Sequence, residues 1–355
     1  MNTRAVKTAH PTRSADLDQV PGPQSPALGT AGGAGAGIGV GRRVLGAVAL
    51  AATVPYLTLK AAWLAGSGIG IPRGSVLRDP GLFFTVANSL TLAMDACLIA
   101  LVLVLTRPWG MRVPAWLLVV PAFVATGLLT PILTGFPGQL LIRALGVEAD
   151  TGAARAVREP FLDPWVFDVV YTGFTVQGLA LAGLFVPYAR QRWGHRWQGV
   201  PGPRLPSSTG VVAGAAAAAG LLVGAAYLYW GFGGTAGLTA GQRAERTADW
   251  TVVSVIHAAC AGGAGAGAVL LARGWWPGRG SARGRARWPL ALAWTGSAAA
   301  LSWGAWLLIA SLSGEFEGAQ GTTGGMYLAY AGQMITGLLG VAVLARFLTA
   351  RRTDR

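Results

Sequence analysis

Lys60, Asn88, Thr91, Asp95, Asp168 and His257 stand inside long apolar stretches, where polar and ionisable side chains are costly unless they are paired, hydrated or functional. Asn88, Thr91 and Asp95 recur at i, i+3 and i+7, which places them on one helix face. Thr251, Ser254 and His257 do the same in another stretch, and Asp168, Thr172 and Thr175 in a third. At 1.5 Å per residue, Asp168 lies about 5 Å below the end of its stretch, Lys60 about 9 Å, His257 about 12 Å and Asp95 about 20 Å. Asp95 is then the carboxylate nearest the middle of a membrane. These depths favour pairing Lys60 with Asp168 rather than with Asp95, because a lysine stem reaches only roughly 6 Å and the pairs differ by about 4 and 11 Å in depth.

Reaction chemistry has little else to stand on. There is no phosphate loop, no His-Glu-x-x-His and no plausible serine triad, so no catalytic residue or cofactor is expected. Cys97 and Cys260 both fall in apolar stretches and read as small packing residues. His257 alone of the three histidines lies in such a stretch, which argues against a membrane cytochrome with two axial histidines.

The elements that must position these side chains are eight apolar segments, at about residues 44–66, 82–106, 114–135, 165–188, 209–232, 249–272, 288–312 and 324–347. Each has the roughly 20 residues needed to cross a bilayer core of about 30 Å. Only 12% of the 355 residues are charged, against about a quarter in a soluble domain. The fold class is therefore all-α, a polytopic integral membrane protein. Residues 1–41 are rich in Pro, Gly, Ala, Ser and Thr and read as a disordered tail. Residues 42–192 form a first four-helix half, 193–208 a linker, 209–350 a second four-helix half and 351–355 a short tail.

The net charge of +14 would suggest nucleic acid in a soluble protein. Here the arginines sort by side. With both termini and the even-numbered connections on one side, that side carries 17 basic residues outside the tail and the other carries seven, Lys60 aside. This is the pattern of a plasma-membrane protein with cytoplasmic termini. It makes the bilayer, and anionic head groups at the cytoplasmic arginines of segments such as 273–287, the expected partners, with no role for nucleic acid. In the longest outer connection, 136–164, residues Gln139 to Leu145 could form a short amphipathic helix on the membrane surface. Trp63, Trp165, Trp230, Trp250 and Trp288 sit at segment ends and read as interfacial anchors.

The halves read as copies. Tyr171-Thr172-Gly173 followed by Gly178-Leu179 matches Tyr330-Ala331-Gly332 followed by Gly337-Leu338. Four segments per copy is an even number, so the repeats are expected to be parallel and related by an axis along the membrane normal. The stretch Tyr229-Trp230-Gly231-Phe232-Gly233-Gly234 resembles the tryptophan-glycine signature of small four-span actinobacterial membrane proteins of unknown function. That resemblance implies two such units in tandem and no known activity; the first half departs from it, with Trp63 followed by Leu64-Ala65-Gly66. A permease with a polar interior is the first functional expectation, and a non-catalytic structural or regulatory membrane subunit is the alternative.

The sidedness is testable with single cysteines. In a Cys97→Ser, Cys260→Ser background, an impermeant thiol reagent applied to intact cells should label Gly152→Cys and spare Ala282→Cys. The reverse pattern would invert the topology.

Overall fold

Eight helices cross the length of a bilayer in the computed structural model, which describes residues 39–78, 82–146, 162–194, 205–244, 246–273, 287–312 and 321–350. They are α1 (Val40–Leu64), α2 (Leu82–Thr106), α3 (Ala115–Ala144), α4 (Pro164–Trp193), α5 (Ser207–Gly231), α6 (Ala248–Arg273), α7 (Arg287–Leu312) and α8 (Gly324–Ala350). A five-residue helical turn, Ala240–Ala244, precedes α6, and no strand occurs among the described residues. A helix is the form in which a chain in lipid can satisfy its backbone hydrogen bonds internally. The protein is an all-α integral membrane protein. Residues 1–38 of the tail expected at 1–41, the tail expected at 351–355 and most of the basic connection 273–287 lie outside the described residues.

Three boundaries differ from expectation. α1 begins at Val40, inside the anticipated tail. α4 continues to Trp193, so Arg190 and Arg192 are helical. α3 carries three internal prolines, Pro121, Pro131 and Pro137, yet runs unbroken to Ala144. Gln139 to Ala144 therefore extend a spanning helix instead of forming a separate surface helix. Arg143, in its last turn, meets Asp249 of α6 at 2.6 Å and ties the two halves together.

Matched contacts run through both halves. Trp63 Nε1 donates to Ile69 O at 2.8 Å, and Trp230 Nε1 donates to Ala236 O at 2.9 Å. Each tryptophan is followed at the same spacing by two glycines with positive φ, Gly66 (+85°) and Gly70 (+69°) in one half, Gly233 (+104°) and Gly237 (+78°) in the other. The next residue, Ile71 or Leu238, is buried, and its carbonyl accepts from Arg78 or Arg243 respectively. The turn then docks on the start of the last helix of its half. Asp163 N donates to Gly70 O, and Thr323 Oγ1 donates to Gly237 O. Further along, a side chain at Gly178 of α4 would strike Leu133 of α3, just as one at Gly337 of α8 would strike Leu301 of α7. Close approach at small residues is the usual means of packing helices in lipid.

Trp63 and Trp230 are therefore not interfacial anchors; both are buried and pin a turn. Trp165 and Trp288 are exposed, as an anchor would be. The halves meet along α3 and α7. Trp303 Nε1 donates to Leu128 O at 3.1 Å, and Trp294 Nε1 to Thr126 Oγ1 at 3.3 Å, with Phe123 edge-on to Trp294.

The pinned turn carries a stability consequence. Gly70→Ala adds a Cβ against Val166 at a φ that L-residues avoid, at a cost of about 1–3 kcal/mol. Gly74→Ala meets nothing within 4 Å and serves as the control. Thermal unfolding in detergent should separate the two variants, and equal melting temperatures would refute the role given to the turn.

Candidate functional site

Packing differs between the halves, and the difference makes a chamber. In the second half, α5 to α8 interlock through alanine and glycine: Gly267 faces Ala293 and Gly296 faces Ala264, contacts that leave no room for a Cβ. In the first half, Leu101, Val102 and Leu105 of α2 pack with Ala49, Leu118, Leu181, Leu184 and Tyr188, closing only the arginine-rich end. Arg42 donates to Leu105 O there, and Arg192 donates to the Tyr188 hydroxyl and to the carbonyls of Gly110 and Val113. At the opposite end Leu59, Trp63, Ile71 and Val166 form a second plug. Between these plugs α2 stands away from α3, α4 and α7 around a cavity of about 990 Å³.

Most polar residues of the chamber come from α1 and α2. Lys60 is 8% exposed, and its Nζ donates to Asn88 Oδ1 at 2.7 Å. The Asn88 amide group in turn donates to Phe84 O at 2.9 Å. Lys60 Nζ also lies 4.9 Å from the centre of the Tyr56 ring and 5.7 Å from that of Trp63, where ring quadrupoles favour a cation. Thr91 Oγ1 donates back to Ala87 O, which leaves its oxygen facing Tyr56. Asp95 is 5% exposed, and its Oδ2 has no hydrogen-bond partner. Apart from Gln177 and Tyr171 of α4, the remaining wall is apolar or aromatic, including Phe174 of α4 and Trp303 and Trp306 of α7.

The structure thus brings Lys60, Asn88, Thr91 and Asp95 together and separates the other two candidates. Asp168 is exposed on the outside of α4, and among the described residues no ion pair within 4 Å joins Lys60 to Asp168 or to Asp95. The expected Lys60–Asp168 pair is wrong because depth along a helix fixes no azimuth. Lys60 selects the amide oxygen of Asn88, with Asp95 further along the same face of α2.

His257 belongs to a different arrangement. Its Nδ1 accepts from Gln333 Nε2 at 2.9 Å, and Gln333 Oε1 accepts from the Tyr227 hydroxyl at 3.3 Å. The ring stacks on Tyr227 at 4.9 Å and meets Trp303 edge-on. His257 is a satisfied core histidine beside a recess of about 90 Å³. Lys60 and Tyr227 each stand three residues before the tryptophan that pins the turn, so the repeat places a neutral phenol where the first half has an ammonium.

Sequence reasoning missed Tyr56, Trp63 and Trp303 as wall residues. Tyr56 could have been found, since it stands one helical turn before Lys60. No group of three or more His, Cys, Asp or Glu able to hold a metal occurs among the described residues. No family model matches the chain, and neither a curated protein nor a solved structure is similar to it.

The Lys60–Asn88 bond can be measured. A hydrogen bond to a charged group contributes roughly 1.5–3 kcal/mol. A double-mutant cycle of Lys60→Met and Asn88→Leu, read by unfolding in detergent, should show coupling of at least about 1 kcal/mol. Lys60→Met and Asp168→Asn should add within about 0.5 kcal/mol. Coupling to Asp168 instead would restore the pairing set aside above.

Proposed function

We propose that this protein is a permease-like carrier whose substrate occupies the chamber between α2 and the rest of the bundle. The observation that supports this reading is the conjunction of size and polarity. A cavity of about 990 Å³ lies at the upper end of ligand pockets, roughly 300–1,000 Å³, and reaches a lysine and a carboxylate at membrane depth. Ionisable residues in that position mark substrate or ion pathways more often than packing. A purely structural subunit gains nothing from hollowing one repeat while filling the other. The carrier has no catalytic step.

The same reading places the protein in a plasma membrane with cytoplasmic termini, its arginine-rich end set among anionic head groups. It treats the chain as two tandem four-span units of the actinobacterial type, one kept packed and one opened for the substrate.

A carrier must expose its binding residues to water in at least one state. In the Cys97→Ser, Cys260→Ser background, Thr91→Cys in reconstituted vesicles should react with a small charged thiol reagent. A cysteine replacing Ala299, which is 1% exposed in the packed second half, should not react. Protection of position 91 from both sides of the membrane would refute the carrier reading.

A further inference from the structure

The chamber itself constrains what it can hold. Its walls include Leu90 of α2 and Val120 and Val124 of α3, and these residues are also exposed. The cavity therefore communicates sideways with the bilayer, through the space between α2 and α3. A solute arriving by that route comes from the lipid phase and must carry substantial apolar surface. The aromatic side chains of Phe84, Phe174, Trp303 and Trp306 suit a hydrocarbon body.

The polar groups set the head chemistry. Lys60 is already engaged by Asn88 and by two aromatic rings. Asn88 spends its amide group on Phe84 O, and Thr91 spends its hydroxyl proton on Ala87 O. Asp95 and Gln177 both line the chamber, and Asp95 Oδ2 and Gln177 Oε1 are buried with nothing donating to them; the carboxyl of Asp95 is the stronger acceptor of the two. An acceptor left in that state is costly, and a ligand that supplies a donor recovers the cost on binding.

We propose that the chamber takes a single-chain amphiphile from the surrounding lipid, its tail against the aromatic wall and an O–H or N–H head group donating to the Asp95 carboxyl group. This rests on the carrier reading of the same site and narrows it to a substrate class. A long-chain alcohol and a long-chain amine share the required donor; a long-chain carboxylate lacks it and would meet Asp95 with a like charge.

The test uses the full-length chain in lipid nanodiscs and three photoreactive probes with the same twelve-carbon tail, ending in a primary amine, an alcohol or a carboxylate. Cross-links are mapped by mass spectrometry. The amine and alcohol probes should label chamber residues such as Met94, Val124 and Trp306 about tenfold more than the carboxylate, a ratio within reach of one hydrogen bond to a charged group. In Asp95→Leu their labelling should fall to the carboxylate level. Equal labelling of the native chain by all three heads, or preference for the carboxylate, would overturn the proposal whether or not Asp95→Leu folds. Either result combined with a water-reactive Thr91→Cys would remove the substrate class and leave the carrier reading standing. An unreactive Thr91→Cys with the expected head preference would do the opposite.

Discussion

Placing an ammonium and a carboxylate at membrane depth costs several kcal/mol unless the protein supplies polar partners, and the first half of this protein is arranged around that requirement. Lys60 is answered by Asn88 and by two aromatic faces, all supplied by α1 and α2. Asp95 is answered only in part. Helices α3, α4 and α7 contribute apolar and aromatic wall around the pair, Gln177 and Tyr171 apart. The cost is met locally, and the chamber exists because those helices do not close on α2.

The second half supplies the reference state. There the same turn, the same pinned tryptophan and the same glycine contacts support a bundle whose helices meet at small residues. The position of Lys60 is taken by Tyr227, and a hydrogen-bonded chain runs from Tyr227 through Gln333 to His257 Nδ1. A neutral network can be sealed; an unanswered carboxylate oxygen invites a ligand. Trp303 of α7 links the two solutions, since its ring meets His257 on one side and lines the chamber on the other. The packed half thereby forms a rigid wall for the open one, with Arg143 and Asp249 fastening their ends.

Much of the fold was legible from hydropathy alone, because every span must satisfy its own backbone and therefore reads as a long apolar run. Asn88, Thr91 and Asp95 were correctly placed on one face by helical periodicity. The partner of Lys60 was not legible. Depth along the chain is encoded in residue counts, but rotation about the helix axis is set by packing with neighbours, so Asp168 could match Lys60 in depth and still face outward. The length of α3 was not legible either, since the helix runs past the expected end of its segment at residue 135 to Ala144. The paired Trp-x2-Gly-x3-Gly turns were written in the chain and missed, because the adjacent residues differ while the glycines that need positive φ coincide.

The account turns on α2 standing off α3 where its counterpart α6 packs against α7. Gly263 of α6 and Leu292 of α7 are in close contact, whereas the corresponding Cys97 of α2 and Val124 of α3 both line the cavity. Spin labels at positions 97 and 124, and in a second sample at 263 and 292, report the two separations in lipid nanodiscs by electron spin resonance. A standing chamber predicts a mean separation in the first pair wider by several ångströms, given that packed helices sit about 8–10 Å apart. Identical distance distributions would mean that both repeats are closed, and that the site built on Asp95 does not exist in the membrane.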